Sequence, residues 1–278
     1  MPQLPAYIAT RYVQPLREGG TLPAVVETHG GGLFVAKFRG AGQGAKALIA
    51  ELLVGMMADA AGLPVPELAL IELLPDFGQT EPDPEIQDLL RASVGINVGL
   101  RYLDGAFNFQ AASAGDLVTP ELAARVVWLD AFTTNPDRSA RNPNLMVWDR
   151  KPWLIDHGAA LYAQHNWPTV DEARTRTPFP LIKDHVLLRM SGDLHAADEE
   201  MTARLTEPVL AEIVGSLPDA LLADPLVSAD FPTPTAARER WLAYLLTRIQ
   251  SPRAFVAEAI AAREKAATEP PRRLHSRR

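Results

Sequence analysis

Cysteine is absent from this chain of 278 residues. Without a thiol the protein forms no disulfide, no thiolate zinc site and no iron–sulfur cluster, and a cysteine nucleophile is excluded as well. Long apolar runs are also absent, since no stretch reaches the roughly 18 residues of a membrane span. The first residues lack a basic start followed by an apolar block. We therefore expect a cytoplasmic protein without a membrane span.

An excess of positive charge is missing too. Lys and Arg number 27 against 34 Asp and Glu, a formal net charge of −7, which argues against direct binding along nucleic acid. Hydrophobic residues make up 47% and charged residues 22%, as in an ordinary globular protein. At roughly 150 residues per domain, the length allows about two domains.

Residues 1–104 predict a sheet with one long helix. Two strand-like runs flank a glycine turn at Gly30–Gly32, so we expect a hairpin over 24–38 in which Lys37 shares a face with apolar neighbours. Apolar residues at helical spacing in 45–61 predict a helix with a single apolar stripe. The other elements predicted here are a strand at 68–74, one or two strands at 93–103 and, between them, a polar insertion with a short helix at 76–92.

Helices dominate the prediction for the rest of the chain. A threonine N-cap followed by proline and glutamate predicts a helix from Thr119 to about Phe132. Two short apolar runs around the turn 149–151 predict a hairpin. The C-terminal third should be mainly helical, with N-caps at Thr206 and Thr235.

The residues that most suggest a catalytic or metal-binding site lie on either side of that hairpin. Asp137 and Asn142 stand before its first strand, and Asp156 stands after its second. Because antiparallel pairing brings these two ends side by side, the two carboxylates and the amide should converge. Such oxygen ligands suit Mg²⁺, which takes one or two protein carboxylates and leaves its other positions to water and phosphate. Gly158 is expected to let the chain turn away behind Asp156.

Asp137, Asn142 and the triplet Asp156-His157-Gly158 have the spacing of a kinase catalytic loop and its metal-binding acid. Upstream, Lys37 closes a strand after a glycine turn, and Glu51 lies on the next helix. Together these motifs resemble the HipA-like kinases, a bacterial branch of the protein-kinase-like fold, in a short form without the N-terminal subdomain of full-length HipA. They are also similar to those of the type II phosphatidylinositol kinases.

The resemblance extends from about residue 20 to about residue 190 and implies a two-lobed α+β fold of the protein-kinase type. The N-lobe, an antiparallel sheet plus one helix, would occupy 1–104, and a mainly helical C-lobe would occupy 105–270. The basic end, 271–278, is expected to be disordered.

The resemblance also implies roles at a site for ATP and Mg²⁺. Lys37 would hold the α- and β-phosphates of ATP and would pair with Glu51. Asp137 would orient or deprotonate the attacking hydroxyl, while Asn142 and Asp156 would hold Mg²⁺.

The adenine and phosphate contacts follow from the same resemblance. The backbone of Arg101 and Leu103 would form the hinge that meets adenine. Two glycine sets are candidates for the loop that covers the phosphates, and the second of them spans 40–44. We favour the first set, Gly30, Gly31 and Gly32, because a kinase phosphate loop precedes the lysine strand.

Departures from the kinase pattern leave the acceptor open. Residues 134–136 read Thr-Asn-Pro where protein kinases carry His-Arg, and Ser139 stands where HipA has a histidine. The expected activity is transfer of a phosphoryl group from ATP to a hydroxyl, with a serine/threonine protein acceptor favoured over a lipid or a small molecule. A nucleotide-binding pseudokinase scaffold is the alternative from another class. We assign no chemical role to His157.

Overall fold

The computed structural model describes residues 4–16, 22–111 and 117–268, so the predicted basic tail lies outside the described residues. Over these ranges the chain has a mixed α+β fold, as predicted. Its strands are β1 (Ala6–Pro15), β2 (Ala24–Thr28), β3 (Gly32–Lys37), β4 (Leu68–Leu73), β5 (Gly95–Arg101), β6 (Phe107–Asn108), β7 (Leu145–Trp148) and β8 (Lys151–Leu154). Its α-helices are α1 (Ala45–Ala60), α2 (Pro84–Ala92), α3 (Pro120–Phe132), α4 (Glu172–Thr175), α5 (Leu194–Arg204), α6 (Glu207–Gly215), α7 (Asp219–Leu222), α8 (Pro225–Ser228), α9 (Pro234–Ile249) and α10 (Ala254–Thr268). Within the described ranges, no helix combines the length and the apolar character needed to cross a membrane.

Strands β1 to β5 close into a barrel in the order β1-β2-β3-β5-β4. Strand β1 pairs with β2 in antiparallel and with β4 in parallel orientation, and the second pairing closes the ring. The predicted antiparallel sheet is correct for the pairs β2–β3, β3–β5 and β4–β5, but it lacks β1 and the parallel pair. Strand β1 was not predicted from the sequence. Only Ala9 of its 10 residues is buried, so the strand shows no clear alternation of apolar and polar positions.

The β2–β3 hairpin has the two faces that its sequence predicts. Phe34 and Ala36 are buried inside the barrel together with Phe38, which follows β3. Val35 and Lys37 are half-buried on the other face. Lys37 is the last residue of β3, and its side chain reaches out of the barrel towards α1.

Helix α1 lies between the barrel and helices α6, α7 and α8. Its bounds agree with the prediction, but the single apolar stripe was wrong: residues on every side of the helix are buried, Glu51 included. Helices from the C-terminal third cover the side that would otherwise face solvent, and local periodicity cannot reveal such a partner. The apolar residues of α1 and those of the later helices form one continuous core.

The predicted hairpin of β7 and β8, extended by β6, forms a second small sheet. Its two ends converge as expected, because the Ile155 N–H donates to the Asn144 carbonyl at 3.1 Å. Trp148 and Trp153 pack edge to face with ring centroids 5.4 Å apart. They are diagonal neighbours, since Trp153 pairs with Met146.

Helix starts were predicted from threonine caps with mixed success. The Thr119 hydroxyl accepts a hydrogen bond from the Leu122 N–H at the start of α3. Thr206 is the residue before α6. The cap of α9 is Thr233 and not the predicted Thr235, since a proline can occupy the first turn that follows the cap.

Candidate active site

A cavity of about 460 Å³ lies beside Lys37. One wall is formed by the end of β3, the connection that follows it and the first turn of α1. The other wall is formed by the loops on either side of the β7–β8 hairpin. Residues predicted from the sequence are present on both walls: Lys37 on the first, and Asp137, Asn142 and Asp156 on the second. The fold thus brings together residues that lie about 100 positions apart in the chain.

Lys37 stands between two carboxylates. Its Nζ lies 2.6 Å from Glu51 Oε2 and 2.6 Å from Asp156 Oδ1. Burial alone would lower the pKa of Lys37, but Glu51 and Asp156 outweigh burial and raise it, so the ammonium is charged. Burial would likewise raise the pKa of Asp156, yet the charge of Lys37 lowers it. The ion pair therefore presents a charged lysine and a charged aspartate at the cavity.

Glu51 connects α1 with the loop that carries Asp156. Its Oε2 accepts hydrogen bonds from Lys37 and from the His157 N–H, the latter at 2.7 Å. The side chain is fully buried, and Oε1 has no hydrogen-bond partner among the described residues. Burial is the main reason that the pKa of Glu51 is raised, with Lys37 acting in the opposite direction. Glu51 therefore fixes both Lys37 and the turn at Asp156 to one helix.

Asp137 is held by two asparagine amides. Its Oδ2 accepts hydrogen bonds from Asn142 Nδ2 at 2.9 Å and from Asn144 Nδ2 at 3.0 Å. The Asp137 N–H donates to Asn135 Oδ1 at 3.1 Å. These contacts orient the carboxylate so that Oδ1 is the oxygen left to act on another group.

The chain turns sharply at Asp156, and the backbone of Asp156 itself makes this turn. Its φ is 57°, in the left-handed region, where a residue with a Cβ is strained by roughly 1–2 kcal/mol. The predicted role of Gly158 in this turn was wrong. A Cβ added at Gly158 would lie 3.5 Å from Ala47, an ordinary contact, so glycine is not required there. Asp156 itself, and not Gly158, has the left-handed backbone conformation.

The oxygen atoms that line the cavity are compatible with Mg²⁺ that is held partly by the protein and partly by phosphate and water. The described residues contain no cluster of three or more Asp, Glu and His side chains placed around one metal position. The cavity does offer the carboxylates of Asp156 and Asp137 and the amide oxygen of Asn142. A hard cation that takes one or two carboxylates and completes its shell with phosphate and water fits this set.

The favoured glycines, Gly30, Gly31 and Gly32, do not reach the cavity. They form the turn where Thr28 pairs with Gly32, at the opposite end of β3 from Lys37. The Gly31 carbonyl accepts a hydrogen bond from the Arg101 guanidinium. Among the described residues that line the cavity, Gly42 of the alternative set is present.

Strands β1 and β2 pair at the end of the barrel near Lys37. Pro15 pairs with Ala24, and Ala24 pairs in turn with Ala36, the neighbour of Lys37. Residues 17–21 of this connection lie outside the described ranges. The sequence prediction did not include β1 and therefore did not consider this end of the barrel.

The predicted hinge residues have part of their backbone already in use. The Arg101 N–H donates to the Glu67 carbonyl at 2.8 Å, and the Leu103 carbonyl accepts from the Ala106 N–H at 3.1 Å. The Arg101 side chain lies over the Phe34 ring at 4.3 Å and pairs with Glu67. An adenine contact would therefore have to use the Arg101 carbonyl and the Leu103 N–H.

Sequence reasoning missed two residues that shape the site. Asn144 has a left-handed φ of 46°, which asparagine tolerates better than most residues, and this conformation accompanies its bond to Asp137. The sequence signal for this conformation was the run Asn142-Pro143-Asn144, whose residue types are typical of turns. Arg138 follows Asp137 directly but is fully buried, and its partner Asp130 lies on α3, where no local pattern identifies it.

Comparisons with known proteins agree with the kinase-like character of this fold. The crystal structure of the proinflammatory kinase CtkA of Helicobacter pylori superimposes with a TM-score of 0.52, covering 96% of this chain and 100% of that chain at 10% sequence identity. At this identity the similarity concerns the fold. No curated protein sequence matches the chain.

The family is established by the sequence. The profile of the HipA-like kinases matches residues 10–175, well over half of the chain. The chain belongs to the HipA-like kinase family, and its activity class is that of a kinase.

Proposed function

We propose that this kinase uses Mg·ATP and transfers the γ-phosphoryl group to a serine or threonine hydroxyl of a protein. The observation that supports this most directly is the position of Lys37. It is held by Glu51 and Asp156 at the wall of a cavity that Asp137 and Asn142 also line. Phosphoryl transfer needs a cation for the phosphates, oxygen ligands for a metal and an acceptor for the hydroxyl proton, and this set supplies all three.

Nucleotide binding would begin with an exchange at Lys37. When phosphate oxygens arrive, Lys37 would keep Glu51, which is fully buried, and release Asp156, whose side chain is 45% exposed. Asp156 would then be free to hold a metal together with Asn142. Mg²⁺, when bound, would neutralise part of the charge on the phosphates.

Asp137 would act on the acceptor hydroxyl. Because Asn142 and Asn144 occupy its Oδ2, its Oδ1 would accept a hydrogen bond from the hydroxyl and then its proton. The acceptor oxygen forms a bond to the γ-phosphorus while the bond from that phosphorus to the bridging oxygen breaks, and ADP leaves. The protein would contribute mainly position and charge, as in other phosphoryl transfers.

We further propose that 1–104 and 105–270 act as two lobes around the cavity. The loop that contains Gly42, rather than Gly30–Gly32, would meet the phosphates, because Gly42 lines the cavity. Adenine would bind near the Arg101 carbonyl and the Leu103 N–H.

The first test replaces Asp137, the proposed proton acceptor. Asp137→Asn should reduce turnover of Mg·ATP by more than about 100-fold while ATP still raises the melting temperature, because the carboxylate is not needed for binding. Asp149→Asn is the matched control, since Asp149 is exposed in the turn of the β7–β8 hairpin. Turnover that survives in Asp137→Asn would contradict the role assigned to Asp137.

The second test addresses the activity and the acceptor. The protein is incubated with ATP labelled on its γ-phosphate and a cell lysate, and the label is sorted into protein, lipid and small-molecule fractions. Label in serine or threonine of protein supports the proposal, and label in lipid or a small molecule contradicts the acceptor class. Binding of Mg·ATP without any transfer would indicate a pseudokinase.

A further inference from the structure

Arg138 is fully buried although it follows Asp137 in the chain. Its Nε donates to Asp130 Oδ2 at 2.6 Å, and its Nη1 donates to the Asn144 carbonyl. The Ile155 carbonyl lies 3.5 Å from Nη1, and His157 Nδ1 lies 3.2 Å from Nη2. One guanidinium therefore contacts a helix and both loops of the site.

The contacted groups are the neighbours of the predicted functional residues. Asn144 stands two positions after Asn142, and Ile155 and His157 flank Asp156. Because Arg138 itself adjoins Asp137, its side chain connects the backbone beside all three residues. A guanidinium is planar and rigid, so it fixes the separation of the groups that it binds.

Asp130 anchors this arrangement on α3. Its Oδ1 accepts from Asn135 Nδ2 at 3.0 Å, and its Oδ2 contacts His185 Nε2 at 2.9 Å as well as Arg138. The His185 Nδ1 accepts from the Leu187 N–H at 3.0 Å, so Nε2 is the nitrogen that donates to Asp130. Donors to both oxygens thus hold the carboxylate in place against Arg138.

The tautomer of His157 follows from the same contacts. A guanidinium has only donors, so His157 Nδ1 accepts from Arg138 and the ring proton lies on Nε2. Nε2 is buried without a hydrogen-bond partner in the described part of the chain. The one polar contact described for this imidazole is therefore with Arg138, although no chemical role for His157 was predicted from the sequence.

An ordinary structural ion pair would explain Asp130 and Arg138 but not the other contacts. Neutralising Asp130 requires a single charged donor, whereas the remaining donors of Arg138 reach the Asn144 and Ile155 carbonyls and His157. These three acceptors lie in the loops of the site and not in the helical core.

We propose that Arg138 is a positioning residue for phosphoryl transfer, which holds the loop of Asp137 and Asn142 at a fixed separation from the turn at Asp156. Asp130 is its anchor, and His157 is an acceptor that keeps the guanidinium in place. This inference rests on the proposed function. Arg138 acts through the neighbouring backbone and touches neither the substrate nor the nucleotide.

The first test compares Arg138→Lys with Arg253→Lys. Both changes replace a guanidinium in an ion pair with an ammonium, and Arg253 binds Asp198 in the helical part, at 2.7 and 2.6 Å. An ammonium can neutralise Asp130 but cannot span the other acceptors. We expect Arg138→Lys to lower kcat about 100-fold, because small misplacements of reacting groups have effects of that size.

The same comparison separates positioning from stability. ATP binding measured in the presence of EDTA should be unchanged in Arg138→Lys, because Lys37 keeps its ion pair with Glu51. The melting temperature of Arg138→Lys should fall below that of Arg253→Lys, because the Asn144 and Ile155 carbonyls lose a buried donor, while the kcat of Arg253→Lys should stay within about threefold of wild type. Turnover of Arg138→Lys within threefold of wild type would overturn the inference.

A second pair of variants tests the inference if Arg138→Lys does not fold. His157→Asn keeps an acceptor for Arg138 at nearly the position of Nδ1, whereas His157→Leu removes it. The leucine variant should fold, because Nε2 makes no hydrogen bond to a described residue and the contact with Glu51 uses the backbone. We expect kcat to fall at least tenfold in His157→Leu and to recover in His157→Asn. Equal kcat in the two variants would contradict the proposal.

Hydrogen exchange distinguishes failure of this inference from failure of the proposed function. If the wild-type protein transfers no phosphate, the proposed function fails, but the coupling of the two loops can still be measured. Arg138→Lys should accelerate exchange in 140–146 and in 153–158 together, whereas Arg253→Lys should not. Acceleration in only one segment, or throughout the chain, would contradict the positioning role.

Discussion

His157 and His185 are both buried and uncharged, close to the cavity. Burial, followed by the positive charge of Arg138, lowers the pKa of His157 to about 3. Burial also lowers the pKa of His185, although Asp130 acts in the opposite direction. In an unfolded chain the same side chains titrate near about 6.5. As the pH falls, the unfolded state therefore binds protons before the folded state does.

We expect mild acid to weaken the fold through this difference. Between pH 7 and pH 5 the unfolded state gains a proton at His157 that the folded state does not bind, so the free energy of unfolding decreases. The loss from this one side chain is about 2 kcal/mol over that interval. Urea unfolding at the two pH values should show a smaller decrease for His157→Asn than for the wild type. His195→Asn, a change at an exposed residue, should keep the wild-type dependence, and a His157→Asn protein that also keeps it would contradict this account.

Single residues of the site were predictable where spacing along the chain carried the signal. The pairing of Lys37 with Glu51 was implied by the resemblance to the HipA-like kinases, and the two side chains are 2.6 Å apart. Arg138 was not predictable in this way, because a guanidinium next to an acidic motif normally faces solvent. Its burial depends on Asp130 and His157, which approach it only in the folded chain.

One arginine of helix α9, Arg248, binds two other segments of the chain. Arg248 is 3% exposed, and its guanidinium donates to the carbonyls of Ala131 and Phe132 at the end of α3. It also donates to the carbonyls of Thr175 and Thr177, in the segment that follows the site. The C-terminal end of α3 and that segment are therefore both fixed to α9.

Loss of this side chain should destabilise the protein strongly. Arg248→Met leaves four carbonyls without their donor, and we expect the free energy of unfolding to fall by about 3 kcal/mol or more. The matched control is Arg240→Met on the same helix, because Arg240 donates to the Val170 carbonyl and lies over Trp167. We expect about 1 kcal/mol for that change. Urea unfolding measures both, and equal losses would contradict the special role of Arg248.

Elements were predictable from the sequence where their signals are local. The turn glycines predicted the β2–β3 hairpin, and Thr119 predicted the start of α3. The pairing of β1 with β4 joins distant segments, and no pattern in the largely exposed β1 indicates it. Gly30–Gly32 was favoured as the phosphate loop without that preceding strand, and these glycines do not line the cavity.

At the scale of the whole molecule, ion pairs next to the cavity join segments that are distant in the chain. Two ion pairs connect 39–46, from the end of β3 into the first turn of α1, with the region around α8. Arg39 binds Asp224, the residue before α8, at 2.5 Å, and Lys46 binds Asp230, between α8 and α9, at 3.1 Å. All four side chains are largely buried. Gly42 lies between the two anchors and lines the cavity. The wall proposed to meet the phosphates is therefore held by the other half of the molecule.

Weakening one anchor should affect nucleotide binding more than chemistry. Asp230→Asn should raise the KM for ATP about fivefold, equivalent to about 1 kcal/mol, with little change in kcat. The control is Asp88→Asn, which removes an exposed pair with Arg91 on α2 and should leave both parameters unchanged. Steady-state kinetics measure the two effects. A fall in kcat without a change in KM would show that the anchor serves the chemical step instead.

Closure of the barrel by β1 and β4 also limits how a peptide can approach the enzyme. Over the described residues, β4 pairs with only Ala6, Tyr7 and Ile8 of β1, so the unpaired strand edge of the barrel is confined to 9–15 of β1. Many peptide-binding domains capture their ligand by adding it to a sheet as an extra strand, and that mode needs such an edge. A protein acceptor that bound the barrel in this way would have to pair with that part of β1.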